Sequence, residues 1–204
     1  MSTPEDARDR PDVPTFVECV IGYRAWLADA RDQLWPISDC RRPWVPGINT
    51  ARCNCGEWSS LRFEWSLYEG HRVLEPAPEH PAPAADCECG LYSWRRPRRR
   101  WRDDPVRASL PRVIGAVASW GALYVHDDGF RAEHACVVSL AYHAAARPEA
   151  LAVLERIARR YRVDLVPLDE LEEAASRHGT PLPDDLRPPP VTTNCGASDQ
   201  STSP

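Results

Sequence analysis

Four cysteines and a histidine lie close together in the first half of this chain. Cys53-Asn54-Cys55 opens the stretch, His80-Pro81-Ala82-Pro83 follows, and Cys87-Glu88-Cys89-Gly90 closes it. Thiolate and imidazole are the ligands zinc prefers, four at a time in a tetrahedron. Two thiols separated by one residue reach one ion only if the backbone turns sharply, and Gly56 and Gly90 each follow a Cys-x-Cys pair and permit such a turn. The spacing departs from the usual zinc pattern of two to four residues between cysteines. Five candidate ligands exceed four places. One set is Cys53, His80, Cys87 and Cys89; the other replaces His80 by Cys55, and the short loop from His80 into Cys87 favours the first. His71 is a sixth, less favoured candidate. Three cysteines and a histidine also suit certain [2Fe–2S] centres, which stand as the second reading of the cofactor. The Cys-Asp-Gly-Ser-His signature of one such family is absent.

A second concentration of chemistry is the basic run Arg95, Arg96, Arg98, Arg99, Arg100 and Arg102 around Trp101. Guanidinium forks grip phosphates and an indole stacks on bases, so a nucleic-acid contact is one reading. The plainer one is a solvated, arginine-biased loop, partly neutralised by Asp103 and Asp104. His126-Asp127-Asp128-Gly129 resembles an acid–base cluster but is turn chemistry. Glu133 and His134 are expected on opposite faces of a strand, where they do not cooperate, with His134 a hydrogen-bonded core histidine. Cys19, Cys40 and Cys136 read as core or loop thiols, and Cys195 as a tail residue. No Gly-x-Ser-x-Gly, phosphate-binding Gly-rich loop or His-Glu-x-x-His occurs. All 25 basic residues are arginine, which removes Schiff-base and lysine-base mechanisms. Trp26, Trp35, Trp44, Trp65 and Trp120 are aromatic core before they are a ligand cleft.

These groups need a frame. At 204 residues the chain is long enough for one domain with a core. The net charge of −5 rules out a general polycation. No apolar run reaches the ~18–20 residues of a membrane span, and the charged first ten residues lack a signal-peptide core. A cytoplasmic location is expected, where eight cysteines are ligands or free thiols before they are disulfides. Residues 1–14 read as a flexible arm. From Phe16, Val17, Cys19, Ile21, Tyr23, Ala25 and Leu27 alternate against Glu18, Gly22 and Arg24, predicting a half-buried strand. Phe63, Trp65 and Leu67 suggest another within the metal-binding segment 48–94. Val113–Val125 is apolar on both faces, as for a central strand. The turn at 126–129 then leads to a strand alternating Phe130, Ala132, His134, Cys136, Val138, Leu140 and Tyr142. Pro148 starts a helix with Leu151, Leu154, Ile157, Ala158 and Tyr161 on one stripe. A short strand at Val163–Val166 and a helix from Leu168 to His178, stopped by Gly179, follow. Residues 15–179 are expected to form one globular domain and 180–204 a disordered tail.

Scattered motifs carry a resemblance. Gly22-Tyr-Arg-Ala-Trp26, Trp44-Val-Pro-Gly47, Ala51-Arg-Cys53, His80-Pro-Ala-Pro83, Cys87-Glu-Cys-Gly-Leu-Tyr92, Trp120-Gly121 and Gly129-Phe-Arg-Ala-Glu-His134 resemble an uncharacterised family of bacterial proteins frequent in actinobacteria. The likeness spans roughly residues 20–140. It implies ligands at Cys53, His80, Cys87 and Cys89, makes Cys55 and 56–79 departures, and implies no activity. The expectation is an α+β protein: a mainly antiparallel sheet or small barrel, a metal-bound loop region and C-terminal helices. Its expected function is that of a non-catalytic, cytoplasmic zinc-binding interaction module whose partner is a protein or nucleic acid, with no membrane. The alternatives are a metal-dependent enzyme, an iron–sulfur redox protein, or a nucleic-acid-binding module using the arginine run.

Overall fold

The computed structural model describes residues 15–37, 42–53, 80–97 and 111–186. The predicted hairpin is its backbone: β5 (Arg112–His126) and β6 (Gly129–Tyr142) pair antiparallel along nearly their whole length, with His126 opposite Gly129 at the turn. β1 (Thr15–Ala28) pairs antiparallel with the other edge of β5. β5 is therefore the central strand, as its two apolar faces require.

The outer edges of β1 and β6 each take short strands end to end. Along β1 lie β8 (Thr180–Pro181, parallel), one residue pair of β4 (Leu91–Trp94), and β2 (Leu34–Pro36). Along β6 lie β4, β3 (Ile48–Thr50) and β7 (Asp164–Pro167, parallel). β4 touches both β1 and β6 and closes a ring of pairings through β5. Only Tyr23 and Trp94 pair between β1 and β4, so the result is a strongly bent, mainly antiparallel sheet and not a continuous barrel. Gly129 makes the closure possible: a Cβ there would stand 1.9 Å from the Ser93 carbonyl oxygen.

Alternation along β5 divides the core in two. Val113 and Val117 face a cluster with Trp26, Leu34, Trp44, Ala135 and Leu140, covered by α1 (Pro148–Tyr161) through Leu154, Ile157, Ala158 and Tyr161. Ala116 and Ala118 face the second cluster, with Ile21, Tyr23, Val138 and Ala141, covered by Leu171 and Ala175 of α2 (Leu171–Ser176). A bulge between Ala116 and Val117 adds one residue on the β6 side and keeps both faces apolar past it. Tyr161 ties α1 down: its hydroxyl donates to the Trp44 carbonyl at 2.6 Å and accepts from the Leu34 amide at 3.1 Å.

The expected helix starting at Pro148 and the short strand after it are both present. Three expectations need correction. β1 is not half-buried: Val20 through Ala28 are all buried, because Val20, Arg24 and Trp26 pack on the side opposite Ile21 and Tyr23. The helix expected from Leu168 begins as a 3-10 turn, Leu168–Glu170, and ends at Ser176. Gly179 is no left-handed stop; it is where the chain passes β1, since a Cβ there would lie 2.3 Å from the Cys19 carbonyl oxygen. That passage continues into β8 and buried Leu182, so order runs beyond residue 179. The strand suggested around Phe63–Leu67, the arm 1–14 and residues 187–204 lie outside the described residues. Among the described residues no helix is long and apolar enough to cross a membrane.

Candidate metal centre

The site is built on the outer edge of β6. β3 ends with Thr50 opposite His134, and β4 begins with Leu91 opposite Ala132. Both run antiparallel to β6, so β4 takes up the edge almost where β3 leaves it. Residues 51–90 are an excursion between two successive segments of one edge. Cys53 stands three residues after β3 and Cys89 two residues before β4, so pairing to a common strand brings them together. The Ala51 amide, donating to the Glu133 carbonyl at 2.7 Å, extends the β3 contact toward Cys53.

Cys53, His80, Cys87 and Cys89 converge there, with their ligand atoms all within 4.8 Å of one another. Cys53 Sγ lies 3.1 Å from His80 Nε2 and 3.9 Å from Cys87 Sγ. His80 Nδ1 donates to the Pro81 carbonyl at 2.9 Å. A carbonyl only accepts, so this bond fixes the tautomer and leaves the Nε2 lone pair facing the three sulfurs, the second contact that a metal-ligating histidine usually makes. The Cys89 amide approaches Cys87 Sγ at 3.4 Å. All four residues are partly buried.

The turn carrying Cys87 and Cys89 is held from β6. Arg131 Nη1 donates to the carbonyls of Cys87 and, at 3.0 Å, Cys89. The guanidinium also sits over the rings of Tyr92 and Tyr124, and the Tyr92 hydroxyl donates to the Glu88 carbonyl at 2.8 Å. Gly90 has φ 132°, a conformation other residues rarely adopt. A Cβ on it would also meet Arg131 Cβ at 2.8 Å.

Electrostatics make the cluster a poor place for free thiolates. Burial first, then the hydrogen bond with Cys87, pushes the Cys89 thiol up to about 12. The Pro81 carbonyl, ahead of other contributions, raises the His80 imidazole above its ordinary value. Three sulfurs this close cannot all ionise against one another; a cation among them reverses that penalty.

Other expected site residues fare differently. Cys55, His71, Arg98, Arg99, Arg100, Trp101 and Arg102 lie outside the described residues. Arg95 is not a free basic residue: Nη1 reaches the carbonyls of Leu182 at 3.5 Å and Pro183 at 3.2 Å, and Asp184 at 3.9 Å, binding the segment after β8 to β4. Arg96 follows it, exposed. The turn His126–Gly129 serves the hairpin, as expected. Glu133 and His134, expected on opposite faces, do meet: His134 Nε2 is 3.4 Å from Glu133 Oε1, and His134 Nδ1 is 3.1 Å from Thr50 Oγ1. Opposite them the β5–β6 register carries one extra β5 residue between Trp120 and Leu123, with Gly121 at φ 81°. Glu133 Oε2 accepts from the Ala122 amide at 3.1 Å in the same irregularity. His134 is partly exposed, stacked near Trp120.

Arg131 and Tyr92 were not singled out by the sequence, because an arginine and a tyrosine on alternating strands carry no local mark of what they hold. Compared with protein-family models, curated proteins and solved structures, the chain shows no match to any family, protein or structure.

Proposed function

We propose that this chain is a zinc-binding protein in which one ion, held by Cys53, His80, Cys87 and Cys89, closes the base of the 51–90 excursion. The single observation behind this reading is the mutual approach of four ligand atoms within 4.8 Å. With a Zn–S bond of about 2.3 Å, tetrahedral sulfurs stand about 3.8 Å apart, and the Cys53–Cys87 separation is 3.9 Å. A [2Fe–2S] centre distributes its ligands over two irons, which spreads the ligand atoms of different irons further than this cluster spans. A single tetrahedral ion fits better than a two-iron cluster.

Four protein ligands leave no open position for water, as in structural zinc sites. This supports a non-catalytic role, with the ion shaping a surface for a macromolecular partner. Exposed Ile48 and Tyr92, on the two strands flanking the site, and exposed Val45 before them are the apolar residues such a surface would use. The nucleic-acid version of the partner rests on Arg96, Arg98, Arg99, Arg100, Trp101 and Arg102, since Arg95 is engaged internally. Elemental analysis with an optical spectrum of purified protein tests the reading. One zinc per chain and no visible absorbance is the expected result. A folded, metal-free chain that takes up no zinc, or an iron–sulfur spectrum, overturns it. Retained zinc in His80→Ala with loss in Cys55→Ser would select the all-cysteine set instead.

A further inference from the structure

The ligand cluster holds three thiols, one more than a minimal mixed site needs, and none is fully buried. Metal-bound cysteines are thiolates, the nucleophilic form, and partly exposed thiolates near a second sulfur are where oxidants act. The sulfurs of Cys53 and Cys87 lie 3.9 Å apart. A disulfide needs about 2.05 Å between sulfurs, so they must close by about 2 Å. The two residues stand 34 apart in sequence. Cys53 lies outside the named strands, three residues after β3. Cys87 and Cys89 are a different case: both carbonyls are held by Arg131 and one residue separates them, so the turn resists the rearrangement that a bond between them requires.

We propose that Cys53 and Cys87 are an oxidant-responsive pair: peroxide joins their sulfurs in a disulfide and so releases the ion. This rests on the zinc reading above. In the balanced step one thiolate attacks hydrogen peroxide, the O–O bond breaks, hydroxide leaves and a sulfenic acid forms. The other thiolate attacks that sulfur, the S–S bond forms and a second hydroxide leaves. Two thiolates have lost two electrons and the peroxide has gained them; solvent protons convert the hydroxides to water. Two of the four ligand bonds are lost, and His80 with Cys89 cannot hold zinc against a chelator. The new bond spans the same residues as the ion did, so the base of the excursion stays closed in either state.

The test uses the full chain, loaded with zinc and quantified before any oxidant is added. Hydrogen peroxide is then titrated in with a chromogenic zinc chelator present. Expected are one zinc released per chain, a mass lower by two hydrogens, and a linked peptide joining Cys53 to Cys87. The same link should form in Cys55→Ser and in Cys19→Ser/Cys136→Ser, and a thiol reductant with added zinc should restore the loaded protein. Zinc retained while peroxide is consumed, release by sulfinic acid formation without a disulfide, or a link through Cys89 overturns the inference and leaves the zinc reading standing. A chain that takes up no zinc at the first step removes the zinc reading, and this inference with it.

Discussion

Arg131 does for the Cys-x-Cys turn what no residue within the turn can do. Its guanidinium donates to the carbonyls of both Cys87 and Cys89, bracing the bend from the neighbouring strand. Arg131→Met is therefore expected to keep all four ligands and lower zinc affinity by about 10–100-fold, the usual cost of losing an outer contact to a metal site. Competition with a chelator of known affinity measures this, and unchanged affinity would separate the clamp from the site. Cys87→Ser should lose the ion outright, seen as loss of bound zinc after gel filtration. The four residues that converge were legible because cysteine and histidine are few and chemically distinct. The clamp was not, because it depends on which strand pairs beside the turn. Arg95 shows the converse error: a run of arginines looks uniform in sequence, yet this one is half of a tertiary contact.

Among elements, the β5–β6 hairpin was readable from local pattern, since its turn residues and both alternations lie within one continuous stretch. β1 was read as a strand but assigned the wrong burial. Its second face is covered by Trp44, by Phe130 across Gly22 and by Leu182, all distant in sequence, and period-two alternation says nothing about what covers the other side. The closing contact between β4 and β6 can be tested at Gly129. Gly129→Ala must displace Ser93 backbone, and overpacking of this kind costs about 1–3 kcal/mol; a denaturation midpoint matching the parent protein would contradict the ring closure. Tyr161→Phe should cost about 1–3 kcal/mol through the buried Leu34 amide and Trp44 carbonyl it leaves unsatisfied, read as a lower midpoint with the fold retained.

For the whole molecule, packing on both sheet faces predicts an alkaline limit. Burial, with Glu172 adding to it, pushes Tyr23 from 10.0 up to about 12, and burial also raises Tyr161. Between those values an unfolded tyrosine has lost its proton while Tyr23 in the folded chain keeps it. The folded state then binds more protons, so stability is fully present below about pH 10 and falls as pH rises toward 12. Urea midpoints at several alkaline pH values should show this slope, and Tyr23→Phe should flatten it; a flat profile in the parent would show that these phenols are not protected.

The end-to-end placement of β3 and β4 on β6 has a consequence for redesign. The polypeptide leaves and rejoins one edge at neighbouring rungs, and Cys53 and His80, 27 residues apart in sequence, have side-chain atoms 3.1 Å from each other. Among the described residues, every strand pairing of the frame joins segments outside positions 54–79. Loop-closure entropy changes by only about 0.6 kcal/mol per doubling of loop length. Residues 54–79 should thus be a splice port, replaceable by a short glycine–serine spacer or by an inserted foreign module, with zinc stoichiometry and the melting midpoint of the frame preserved.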